Sequence, residues 1–80
     1  MKILYVDYGM FDKEDIISAF VNNGHAVTET DIGIKYKKQP QKICDGMKDI
    51  LGNKEYDIVF TSNFFVEVSE ACNEMAVKYI

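Results

Sequence analysis

Thr61, Ser62 and Asn63 stand directly after the apolar run Ile58-Val59-Phe60 and directly before Phe64 and Phe65. Two hydroxyls, an amide and two rings in succession can hold a polar, ring-shaped ligand by hydrogen bonds and stacking. The turn contains no acid, no lysine and no glycine run, so it carries neither a general base nor a phosphate cradle. In an open α/β sheet, ligands bind beyond the carboxyl ends of the strands. The chemistry offered there is binding rather than bond making.

Other chemistries fail on residue type or spacing. A phosphoacceptor receiver needs two adjacent acids after its first strand and an Asp ending its third. Here Asp7 is followed by Tyr8, and the third apolar run ends in Thr61-Ser62. One carboxylate in place of three binds a hard cation weakly, and no aspartyl phosphate can form. The first turn, Tyr8-Gly9-Met10-Phe11, lacks GxGxxG, and Asp12 and Glu14 would repel a pyrophosphate. Tight nucleotide binding is therefore not expected, and neither a cofactor nor a metal is implied. The single histidine, His25, falls at the amino end of a strand, away from the ligand-binding edge. It is expected to be a strand-entry residue with a hydrogen-bonded ring. Asp7 and Asp31 are the two acids expected at that edge, as loop-capping or solvated groups. Cys44 and Cys72 have no CxxC spacing and sit among apolar neighbours, as small buried hydrophobes in a reducing compartment.

The elements that position these residues follow from periodicity. Lys2 to Asp7 is a nearly unbroken apolar run, which fits a strand buried on both faces. Asp12 fits a helix N-cap, with Asp15 as a short capping box and Phe11 and Ile16 at staple spacing. Ile16, Ile17, Phe20 and Val21 form the inward stripe of that helix, and Gly24 suits its left-handed end. His25 to Ile32 forms a second strand. Gly33 to Gln39, with Lys35, Lys37 and Lys38, is expected to be a solvated loop, with an anion-docking patch as its other reading. Pro40 opens a second long helix with Ile43, Met47, Ile50 and Leu51 inward, and Gly52 can end it. Asp57 to Phe60 is the third strand, Val68, Ala71, Cys72 and Met75 mark the next helix, and Ala76 to Ile80 the fourth strand. This alternation implies a three-layer α-β-α Rossmann-like domain with a parallel sheet of four strands, order 2-1-3-4. The crevice between the first and third strands is expected to be lined by Tyr8, Gly9, Met10, Ser62, Asn63 and Phe64.

Eighty residues allow a single domain, 1–80, and 48% hydrophobic residues suffice for a folded one. A net charge of −4 with scattered lysines offers no stripe for nucleic acid. No run is long enough for a membrane span, and Asp7 arrives too soon for a signal peptide, so a cytoplasmic location is expected. The chain ends on an apolar strand, which suggests the N-terminal fragment of a longer chain. The exposed fourth strand invites a homodimer through that edge.

Three segments resemble the N-terminal halves of GT-B glycosyltransferases: Met1 to Asp7, Asp12 to Ile17, and Asn23-Gly24-His25-Ala26-Val27, with its Gly-His-x-Val pattern. Tyr56 to Phe65, Val68 to Asn73 and Val77-Lys78-Tyr79-Ile80 resemble a domain at the N-terminus of glycosyltransferases similar to the bacterial spore maturation protein CgeB. That family often has Pro where Val66 stands. The resemblance covers nearly the whole chain and is weakest from Gly33 to Leu51. It implies an acceptor-side domain for a sugar or glycan, not catalytic alone, which a C-terminal domain of the same chain would complete. The competing expectation is a stand-alone, receiver-like protein-interaction module.

Overall fold

Ile3, Leu4, Tyr5 and Val6 are each 2% exposed or less. A strand with no solvated side must lie inside a sheet covered on both faces. These residues form β1 (Lys2–Val6), which lies between β2 (Ala26–Thr30) and β3 (Ile58–Phe60). The computed structural model describes residues 1–53 and 55–80. Its sheet runs in the expected order β2-β1-β3-β4, with β4 at Lys78–Tyr79, and every pairing is parallel.

The period of two along the strands sorts their side chains between two layers. Leu4, Val6 and Val59 point to α3 (Pro40–Leu51) and α4 (Val66–Met75), where they meet Ile43, Met47, Leu51, Val68, Ala71 and Cys72. Each large side chain removed from water there contributes roughly 1.5–3 kcal/mol. Tyr5 and Phe60 face the other way, toward α1 (Lys13–Asn22), and Phe20 of α1 meets the Phe60 ring edge-on at 5.2 Å. The result is a three-layer α-β-α, Rossmann-like fold. Pro40 takes the first position of α3, where its missing N–H costs nothing.

Several local expectations are corrected. No residue of α1 is fully buried, and Val21 is exposed, because α1 alone covers its layer. Asp12 occupies the N-cap position but makes no side-chain cap; its carboxylate accepts a hydrogen bond from Ser62 instead. Phe11 is fully exposed, so no staple to Ile16 forms. The stretch 33–39 is not a plain solvated loop. It begins with a short helix, α2 (Ile32–Lys35), whose Ile32 and Gly33 are buried. The second strand ends at Thr30 for the same reason. Ala76 belongs to the end of α4 rather than to β4. Its φ of 57° is left-handed, and the Val77 N–H returns to the Cys72 carbonyl at 2.9 Å. Gly24 behaves as expected, with φ 84° and the His25 N–H on the Phe20 carbonyl at 3.1 Å.

Gly33 of α2 packs closely against the two residues that follow β1. A Cβ at this position would lie 2.7 Å from Cγ and Cδ2 of Tyr8 and 2.8 Å from the Asp7 carbonyl oxygen. That carbonyl cannot move without moving the end of β1. Gly33→Ala is expected to lower stability in urea unfolding by about 1–3 kcal/mol, the usual range for overpacking. At Gly46 an added carbon meets the side chain of Ile32, whose terminal carbon must rotate aside within the core, and gains up to ~1 kcal/mol of helix propensity that offsets part of that cost. Gly46→Ala is expected to lose less stability than Gly33→Ala. Equal losses in the two variants would contradict this account.

Candidate functional site

Asp7 directly follows β1 and remains buried. Its Oδ1 accepts the Gly9 N–H at 2.7 Å, an Asx-type turn, and its Oδ2 accepts from Lys13 Nζ at 3.2 Å. Gly9 has φ 83°, a conformation that glycine adopts without a Cβ clash. Lys13 also lies 3.2 Å from Glu29 Oε1. Its hydrogen bonds to Asp7 and then Glu29 raise the ammonium pKa above its ordinary value. This network fixes the turn that carries Tyr8.

The Tyr8 ring lies parallel to Phe65, with centroids 3.6 Å apart and planes 4° from parallel. Its hydroxyl donates to Glu67 Oε2 at 3.1 Å. Burial first, and then the Glu67 charge, push the Tyr8 hydroxyl well above the ordinary tyrosine range, so it stays a donor. A cleft of about 510 Å³ opens at this pair, at the carboxyl edge of the sheet. Met10, Pro40 and Ile43 extend its apolar lining, and Gly33 forms part of the wall. Glu67, Lys37 and Lys38 supply its charges.

The turn between β3 and α4 is bound into the fold. Ser62 Oγ lies 2.7 Å from the Tyr5 hydroxyl and donates to Asp12 Oδ1 at 3.0 Å. Thr61 is buried, and its hydroxyl meets the Asn63 carbonyl and the Tyr79 hydroxyl. The Tyr79 hydroxyl in turn accepts the Phe65 N–H at 3.1 Å. These contacts aim Phe65 at Tyr8.

Of the six residues expected from the sequence, Tyr8 and Met10 line the cleft, and Gly9 shapes the turn between them. Ser62 is held beneath the turn by Tyr5 and Asp12. Asn63 is exposed, with its Nδ2 3.9 Å from Met10 Sδ, and Phe64 is largely exposed, its ring 5.7 Å from that of Tyr79. Sequence reasoning missed Gly33, Pro40, Ile43 and Glu67; it singled out Phe65 as a ring of the strand-end turn, and Lys37 and Lys38 as an anion patch, without placing these three in the crevice. One available signal was the pair Ile32 and Ile34, two apolar residues inside a lysine-rich stretch.

Among the described residues, no group of three His, Cys, Asp or Glu side chains is placed to hold a metal ion. Both cysteines are buried and free, and burial pushes the Cys72 thiol up to about 11. His25 lies at the amino edge, its Nδ1 3.1 Å from the N-terminal amine. No helix among the described residues is long and apolar enough to cross a membrane. No family model, curated protein or solved structure matches the chain.

The raised Tyr8 pKa has a defined sign in stability. The unfolded tyrosine ionises near pH 10, whereas the folded one resists, so its contribution is whole below that pH and declines as pH rises toward the folded value. The urea midpoint should fall above pH 10, and Tyr8→Phe should fall less steeply. Identical slopes for parent and variant would refute a raised Tyr8 pKa in the folded chain.

Proposed function

We propose that this chain is a carbohydrate-binding domain, the acceptor-side part of a glycosyltransferase of the GT-B kind related to CgeB-like proteins. The observation that supports the reading is the aromatic-walled cleft at the carboxyl edge. A sugar ring offers C–H faces to the Tyr8–Phe65 wall and hydroxyl edges to Glu67, Lys37 and Lys38. A volume of about 510 Å³ lies within the range for small-molecule sites. The hydroxyl–carboxylate pair in the cleft, Tyr8 and Glu67, has its hydroxyl held as a hydrogen-bond donor well above the ordinary tyrosine range, which favours binding and orienting a substrate over attacking it. The turns after β1 and β3 each supply one ring of the stacked Tyr8–Phe65 wall, and they flank the point where the strand order reverses, which supports the reading.

Titration with mono- and disaccharides, followed by amide NMR, tests this. Single-sugar affinities are expected near the millimolar level, about −4 kcal/mol. The largest shifts should fall on Tyr8, Met10, Phe65 and Glu67. Phe65→Ala should weaken binding several-fold through loss of the aromatic wall. An unchanged spectrum at tens of millimolar sugar would overturn the proposal. Shifts in the Lys35–Lys38 segment that leave Tyr8, Phe65 and Glu67 unmoved would favour a docking module instead.

A further inference from the structure

Four of the nine lysines, Lys35, Lys37, Lys38 and Lys42, fall between Ile32 and Cys44, a stretch with no acid, in a chain of net charge −4. Their surroundings differ. Lys13 and Lys48 elsewhere each meet two carboxylates. Lys35 and Lys42 lie over the Tyr36 ring, at 5.4 and 5.7 Å from its centroid. Lys37 and Lys38 have neither kind of partner among the described residues, and both line the cleft. Lys38 is held with φ 64°, in a turn closed by the Gln39 N–H on the Tyr36 carbonyl at 2.9 Å. Glu67, the acid that lines the same cleft, already accepts the Tyr8 hydroxyl.

We propose that the cleft takes an anionic sugar: a monosaccharide-sized ring bearing a phosphate or a carboxylate. The inference rests on the carbohydrate reading above and narrows its substrate class. Lys37 and Lys38 meet the charged group, and the Tyr8–Phe65 wall meets the ring. Both lysines line the cleft without a carboxylate or ring partner among the described residues, so an anion bound there meets two cations that no other charge among them neutralises. Lysine serves as a mobile point charge for such groups. In a protein of net negative charge, this local positive field also selects where an anion approaches. Glu67 disfavours a charge on its side of the cleft, which leaves a sugar hydroxyl as its partner.

The test compares glucose, glucose 6-phosphate, glucuronate and inorganic phosphate by calorimetry and NMR at low and high salt. Proteins are the parent, Lys37→Ala/Lys38→Ala, and Lys35→Ala/Lys42→Ala as a control, each checked for folding by circular dichroism. Both charged sugars should bind at least about tenfold tighter than glucose, a difference of about 1.4 kcal/mol. The preference should vanish in Lys37→Ala/Lys38→Ala, survive in the control, and shrink at high salt. Equal binding of charged and neutral sugars overturns the inference and leaves the carbohydrate reading standing. So does a preference that persists in Lys37→Ala/Lys38→Ala. Inorganic phosphate binding as tightly as glucose 6-phosphate means that the ring contributes nothing, and overturns both. Binding of none of the four also overturns both.

Discussion

The carboxylate of Asp7 constrains everything at the carboxyl edge. It follows a strand whose buried residues include no other charged group, and it is itself buried. A buried carboxylate must be hydrogen-bonded and paired. One oxygen takes the Gly9 N–H and the other takes Lys13. The first bond bends the chain at Gly9 so that Tyr8 leaves the strand toward α2 and α4. The second anchors the start of α1, and through Glu29 it ties that helix to β2. Removing Lys13 would leave the charge uncompensated in the strand end on which the cleft is built.

The neighbouring turn obeys a related rule with a different result. Thr61, Ser62 and Asn63 are the residue types a ligand site would use, yet their polar atoms largely complete the fold. Tyr5 and Tyr79 bring hydroxyls from two strands to this turn, and each needs a partner once buried or half-buried. Ser62 and Thr61 provide it. What the turn presents to the cleft is consequently the Phe65 ring, held through its own N–H.

Legibility from sequence followed the strength of local pattern. The unbroken run Ile3 to Val6 and the stripe Ile43, Met47 and Leu51 announce their burial by composition and spacing, so sheet order and layers were readable. α2 was not, because Lys35, Lys37 and Lys38 dominate the character of a segment whose first residues turn inward. Val21 shows the converse failure. Its spacing is right for an inward stripe, but a layer containing one helix cannot bury the whole stripe. The cleft was half legible. Tyr8 and Met10 follow from their place at a strand end, whereas Phe65, Glu67, Lys37 and Lys38 arrive from other elements and meet only through the crossovers.

The segment joining α2 to α3 is locally unfavourable in three separate ways. Like charges are crowded along it. Lys37 and Lys38 directly precede the N-terminus of α3 and Lys42 lies in its first turn, the end of a helix where cations cost about 0.3–1 kcal/mol each. Lys38 adopts a left-handed backbone that a non-glycine residue visits at a cost of roughly 1–2 kcal/mol. Stability alone would favour acids before α3 and glycine or asparagine at residue 38. Local choices that oppose the fold concentrate where function intervenes. An anion in the cleft changes the sign of the first two effects, since it neutralises the lysines and complements the helix end. Lys37 and Lys38, which oppose the fold locally, are the ones that would stabilise its complex with a charged sugar.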